Sequence, residues 1–103
     1  MAKIIWTQRS LTDLKTIAEY ISQDSLRYAS LTIERIINVT LYLETNPRIG
    51  RMVPEVGKQD TIREIIFGNY RIIYNISSPE LIHILTVHHT SRQLRQTSLK
   101  GIK

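Results

Sequence analysis

The sequence predicts an α+β fold: an N-terminal strand, an antiparallel helical hairpin, then a three-stranded antiparallel meander that completes one sheet. Two consecutive stretches before residue 46 carry apolar residues at steps of three and four, the period of an amphipathic helix. A later stretch, Thr61 to His89, divides into three runs rich in Ile, Tyr and Val, separated by turn residues. Those separations are too short for a parallel return, which takes about a dozen residues or more, so the three runs are expected to pair as hairpins.

Lys3 to Trp6 is short, apolar and β-branched, and is expected to join the sheet formed later, with Trp6 used in packing. Thr7 stands where a cap is needed, and Leu11, Leu14, Ile17, Ala18 and Ile21 give the stripe of a first helix over Gln8 to Gln23. Arg9, Asp13, Lys15 and Glu19 fall off that stripe and are expected to face water. Asp24 or Ser25 can cap a second helix whose face is Ala29, Ile33, Ile36, Ile37, Thr40 and Leu43. Asn46-Pro47 should stop it, because proline disfavours helix both at its own position and at the residue before. Arg48 to Asp60 reads as a loop hinged at Gly50, Pro54 and Gly57.

The strands are predicted at Ile62 to Phe67, Tyr70 to Ile76 and Leu81 to His88, with Gly68-Asn69 and Ser77-Ser78-Pro79 as turns. In the middle strand, alternation puts Tyr70, Ile72, Tyr74 and Ile76 on one face and Arg71, Ile73 and Asn75 on the other. Tyr70 and Tyr74 suit a core in which the phenol tip finds a hydrogen-bond partner. Thr90 to Lys103 is polar and basic, with too few apolar residues to predict more than a frayed end.

At 103 residues the chain suits a single domain, 1–103, that buries roughly two thirds of its unfolded surface. Its 42% hydrophobic and 22% charged residues argue against intrinsic disorder. There is no cysteine, which excludes disulfides and thiolate metal sites and fits a reducing cytoplasm. No window approaches the about 18 apolar residues of a membrane span, and no signal peptide is read. The net charge of +5 favours an anionic partner. That charge is concentrated late: Arg92, Arg95, Lys100 and Lys103 follow Glu80 with no acid among them.

His83, His88 and His89 lie on the last strand in positions that do not chelate together, so no metal and no other cofactor is expected. A G-x-S-x-G elbow, a cysteine nucleophile and a glycine-rich phosphate loop are all missing. What remains is arginine on a small sheet: Arg63, Arg71 and Arg92 can converge on the uncovered face or its edge, where guanidinium forks bind phosphate or carboxylate. Arg63 has Glu64 and Glu55 near in sequence and is expected to pair with one of them. Arg71 stands among apolar strand neighbours and is the stronger candidate for a target contact.

Taken together, I-I-W-T before the first helix, D-L-K-T-I-A-E-Y-I within it, N-P-R-I-G-R-M-V-P-E in the loop, R-E-I-I-F-G-N-Y-R-I-I-Y across the first hairpin and the closing I-L-T-V-H-H-T-S-R cover nearly the whole chain. In this order they resemble the RelE/ParE superfamily of bacterial toxins, and look most like its ParE branch, once labelled plasmid stabilisation proteins. The resemblance implies the toxin of a type II toxin-antitoxin system, held in a hetero-oligomer by a cognate antitoxin. It implies one of two targets. RelE-like members cut messenger RNA in the ribosome, using basic residues to stabilise the transition state; ParE-like members poison DNA gyrase and are not nucleases.

Arg71 in N-Y-R matches an arginine of the nuclease set, but Ile62 and Glu64 stand where cleaving members carry lysines, and Thr90 aligns with their later arginine. Gyrase is therefore the expected target, contacted by Arg71, Arg92, Arg95 and Lys100. The ribonuclease alternative would use Arg71, His88, His89 and Arg92, since histidine works as acid or base near neutral pH; a module that binds antitoxin without toxicity is a third. Two amphipathic helices on a small sheet can leave a groove that a partner fills, and the antitoxin is expected against Leu11, Leu14, Ile33 and Ile37.

Overall fold

The computed structural model describes residues 1–90. The elements are β1 (Lys3–Trp6), α1 (Gln8–Ser22), α2 (Leu26–Leu41), β2 (Arg51–Met52), β3 (Ile62–Phe67), β4 (Tyr70–Ser78) and β5 (Leu81–His89), with 3-10 turns at Tyr42–Glu44 and Pro54–Val56. The strands form one sheet in the order β1-β5-β4-β3-β2. The fold is the expected α+β arrangement of strand, helical hairpin and antiparallel meander. Two pairings complete it: β1 runs parallel to β5, and the two-residue β2 pairs antiparallel with β3. An alternating pattern carries no strand direction, and two residues carry no alternation, so neither pairing was legible beforehand.

Thr7 starts α1: its side chain accepts from the Ser10 N–H at 3.2 Å, and its hydroxyl donates to the Ile84 carbonyl at 2.7 Å, which ties the helix start to β5. Ser25 caps α2 by accepting from the Tyr28 N–H at 3.0 Å. Regular α2 ends at Leu41, and a 3-10 turn carries the chain on toward the predicted stop at Asn46-Pro47. The inner face of α2 is rotated from the expected one. Ala29, Thr32, Ile36 and Thr40 are buried, whereas Ile37 is 38% exposed. Thr32 and Thr40 tolerate burial because their hydroxyls donate back to the Tyr28 and Ile37 carbonyls at 2.8 and 2.7 Å.

Asp13 also departs from expectation. Its side chain does not face water: one carboxylate oxygen accepts from the Val87 N–H at 3.0 Å and from the Thr86 hydroxyl. β1 ends at Trp6, opposite Ile84, so the next part of the β5 edge has no strand partner there and α1 supplies an acceptor instead. Asp13→Ala is expected to cost about 1–3 kcal/mol, because Val87 and Thr86 are buried and would lose that partner. Urea unfolding checks this, and a change below the fitting error would contradict it.

Gly68-Asn69 closes the first hairpin as predicted. Gly68 has φ +57° and no other residue type takes a positive φ among the described residues, the pattern of a II′ turn. In the second hairpin β4 runs on through Ser78, and Pro79-Glu80 make the turn instead. The β4–β5 register shifts between Ile73 and Tyr74, leaving Leu85 as the extra residue of β5.

The sheet is packed on both faces. Toward the helices, Ile72, Tyr74, Ile82, Ile84 and Val87 meet Leu14, Ile36 and Leu43, with Trp6 against them as expected. On the back, Ile62, Ile73 and Leu85 are covered by Val53 and Val56 of the loop between α2 and β3. The face expected to be uncovered is therefore strapped by this loop. Among the described residues no helix is long and apolar enough to cross a membrane.

Candidate functional site

Arg71 sits on the back face of β4, as its alternation requires, but not as an open contact: its side chain is 11% exposed. Its Nε donates to Glu64 Oε1 at 2.6 Å, and Nη1 and Nη2 donate to the two oxygens of Glu55 at 2.7 and 2.9 Å. Glu64, fully buried on β3, gives its other oxygen to Arg51 Nε of β2 at 2.5 Å. Among the described residues, two guanidinium groups thus meet two carboxylates, and their formal charges cancel. Strand order makes this possible, since β2, β3 and β4 are consecutive and Glu55 arrives on the 3-10 turn of the strap.

The Arg71 fork holds the Glu55 carboxyl below the ordinary glutamate value of 4.5, and the same bond pushes the Arg71 guanidinium further up, so it stays charged. A carboxyl lowered in the folded state stabilises fully above its unfolded value. That contribution fades as pH falls from about 4.5 through the lower folded value. Thermal melts from pH 7 to pH 3 are expected to show a loss below about pH 4.5 that is smaller in Glu55→Gln.

Arg63 does not join this cluster. It lies opposite Tyr74, on the helix-facing side, and donates to the backbone carbonyls of Asp60 and Gly50 at 2.8 and 3.0 Å rather than to Glu55 or Glu64. Tyr74 is the buried aromatic with a bonded tip that was expected: its hydroxyl donates to the Pro47 carbonyl at 2.7 Å and accepts from the Gly50 N–H at 3.0 Å. Burial raises the phenol of both Tyr74 and Tyr70.

The histidines separate. His88 pairs across the sheet with Arg71 and shares its face, and its Nε2 is buried with no hydrogen-bond partner among the described residues. His89 lies on the other face, edge-on to Tyr70 with ring centroids 5.5 Å apart. His83 Nδ1 meets Ser77 Oγ at 2.6 Å. No three His, Cys, Asp or Glu side chains converge on a metal-sized site among the described residues. Arg92, Arg95 and Lys100 lie outside the described residues.

The four hairpin positions expected to meet an antitoxin divide as well. Leu14 belongs to the core and is not open to a partner. Leu11 is 48% exposed. Ile33 and Ile37 line an open groove of about 610 Å³ between the helices, with Ala18, Leu26 and Ala29 beside them and Glu19 and Glu34 at its polar positions.

The family model described as "ParE toxin of type II toxin-antitoxin system, parDE" matches residues 4–94. The chain belongs to the ParE toxin family. It is a toxin of a type II toxin-antitoxin system, and membership implies a cognate antitoxin. Toxin RelE2 of Caulobacter vibrioides is 30% identical over 92 residues, 89% of this chain and 99% of that protein. A solved structure described as the chromosomal ParDE system from P. aeruginosa superposes with a TM-score of 0.71, covering 86% of this chain and 96% of that one at 17% identity, which is a likeness of fold.

In this ParE-family chain, sequence reasoning found Arg71 and its face but missed what holds it. Glu64, expected only as an acid standing where cleaving members carry a lysine, is buried and shared between two arginines. The signal was available only in part: Glu64 and Arg71 share the back face by alternation, whereas nothing in the loop's composition places Glu55 on Arg71.

Proposed function

We propose that this ParE-family toxin acts in the cytoplasm by inhibiting DNA gyrase, and that its antitoxin docks in the groove between α1 and α2. The observation that carries the first part is the pairing of Arg71 with the carboxylates of Glu55 and Glu64. A ribonuclease of this fold needs cations that stabilise a pentacovalent phosphorane. Here the matching arginine is engaged by two carboxylates, and Ile62, Glu64 and Thr90 stand where the other cations would be. For the second part, the groove is open and apolar along Leu26, Ala29, Ile33 and Ile37, the kind of surface on which an amphipathic partner helix lays its apolar face. Target contact then falls to Arg92, Arg95 and Lys100, whose charge no nearby acid in sequence offsets.

The test uses purified protein. Added to gyrase, it is expected to block supercoiling or trap cleaved DNA; added to a translating extract, it should leave ribosome-bound messenger intact. Truncation after Ser91 is expected to abolish gyrase inhibition with little change in melting temperature, because every described strand and helix remains. Ribonuclease action is the second reading, favoured by His88 standing beside Arg71. Codon-dependent cuts in the messenger that His88→Gln abolishes would put it first.

A further inference from the structure

At the far end of the β4–β5 ladder from Arg71 and His88, Ser77 Oγ lies 2.6 Å from His83 Nδ1, and Asn75 Nδ2 donates to the same oxygen at 3.3 Å. With an amide N–H already on one lone pair, the hydroxyl's own proton is placed to point at the imidazole, as a nucleophile's does at its base. The backbone shows why these groups meet. Ile76 pairs with Ile82 and Ser78 with Leu81, so Ser77 has no residue opposite it and is the extra residue of a bulge. A bulge re-aims the side chain it carries, and bulges are over-represented beside active sites. Where a strand-to-helix elbow exposes the serine of other hydrolases, here the bulge leaves Ser77 open to solvent. Ser77 also lies on the wall of an open cavity of about 750 Å³, whose apolar lining is Pro47, Ile49, Ile76 and Pro79. A polar group that can react, set at the wall of an apolar concavity, is the arrangement in which a small molecule with an apolar body is held and oriented.

We propose that Ser77 and His83 form a catalytic dyad that hydrolyses carboxylic esters with a short apolar acyl chain, the chain lying in this cavity. His83 takes the tautomer with its proton on Nε2, so that Nδ1 accepts. Ser77 Oγ attacks the ester carbonyl carbon as its proton passes to Nδ1; the bond to the alkoxy oxygen breaks, and the imidazolium gives that proton to the departing alcohol. Water, deprotonated by the same nitrogen, then attacks the acyl-serine. The acyl–Oγ bond breaks, the carboxylic acid leaves and Oγ regains a proton from Nδ1. Among the described residues no carboxylate hydrogen-bonds His83, so the ring lacks the third member of a triad and turnover is slow. The activity is independent of gyrase inhibition and of messenger cleavage.

A fluorophosphonate probe and the substrate para-nitrophenyl butyrate, each added to the full chain, test this. Attack on the phosphonate forms an Oγ–P bond, expels fluoride and stops at the adduct, so peptide mass spectrometry reads the nucleophile directly. The adduct is expected on Ser77 and not on Ser78, and is expected to form at least tenfold more slowly in His83→Gln. Hydrolysis of the butyrate ester above background should fall at least tenfold in Ser77→Ala and in His83→Gln. No adduct on Ser77, equal labelling of Ser77 and Ser78, or labelling unchanged in His83→Gln overturns the proposal, as does ester hydrolysis that is absent from the wild type or survives in Ser77→Ala. Should His83→Gln not fold, the wild type decides: labelling of Ser77 must slow when para-nitrophenyl butyrate competes and must outpace labelling of Ser78 at least tenfold, and failure of either overturns it.

Discussion

Arg71→Met is expected to lower the free energy of unfolding by about 3–5 kcal/mol, the range for breaking one partner out of a buried ionic group. The side chain removed is 11% exposed, and it leaves behind a Glu64 that is fully buried. Arg51 still reaches one oxygen of Glu64 but is itself 64% exposed, so water screens much of what it can return. Glu55 loses its bidentate partner at the same time. A double substitution, Arg71→Met with Glu64→Leu, should recover much of the loss, since apolar side chains of similar volume often replace a buried ionic group at little cost. Urea unfolding of the three proteins checks both statements. If Arg71→Met unfolds like the wild type, the cluster is not what fastens the strap to the sheet.

The expected loss bears on how toxicity data should be read. An inactive Arg71 variant would ordinarily be taken as evidence for a contact with gyrase or messenger. Here the same outcome follows from a fold that is partly lost, so His88, less entangled with the strap, is the better probe of chemistry on this face.

The fold was legible because its signals are local. Thr7 and Ser25 stand one residue before their helices, Gly68-Asn69 closes a two-residue hairpin, and alternation along β4 sorts Arg71 from Ile72 without any knowledge of tertiary structure. What failed depends on residues far apart in the chain. Asp13 looked like a solvent-facing helix residue because its partners, Thr86 and Val87, lie more than seventy positions later, at a strand edge exposed only because β1 stops at Trp6. Ile37 and Thr32 exchanged faces because a threonine hydroxyl can satisfy itself within the helix, which an apolar count does not register. The site suffered most, since all its charges come from different elements and the strap that closes it has no periodicity to read.

Gly50→Ala is expected to cost about 2–4 kcal/mol, combining overpacking with a weakened hydrogen bond. A Cβ built there lies 2.6 Å from the Glu64 carbonyl oxygen and 2.6 Å from the Tyr74 hydroxyl. The first contact is with the backbone of β3, which cannot withdraw without disturbing its pairing with β2 and β4. The second is with the hydroxyl that fixes this turn through the Pro47 carbonyl and the Gly50 N–H. Tyr74→Phe keeps the ring in the core and removes only that hydroxyl, so it should cost about 1–3 kcal/mol by leaving the two backbone groups unpaired. The pair should not be additive. Deleting the hydroxyl relieves one of three close contacts, leaving the Glu64 carbonyl and the Tyr74 ring carbon Cε1 at 2.9 Å, and the double variant is expected to be more stable than the sum by at least about 0.5 kcal/mol. Gly50 is also the residue before β2, whose Arg51 meets Glu64, so movement here should reach the Arg71 cluster. Glu55→Gln should then cost less in the Gly50→Ala background than in the wild type. Equal cost in both would show that the turn at Gly50 and the carboxylate on Arg71 fasten the strap independently.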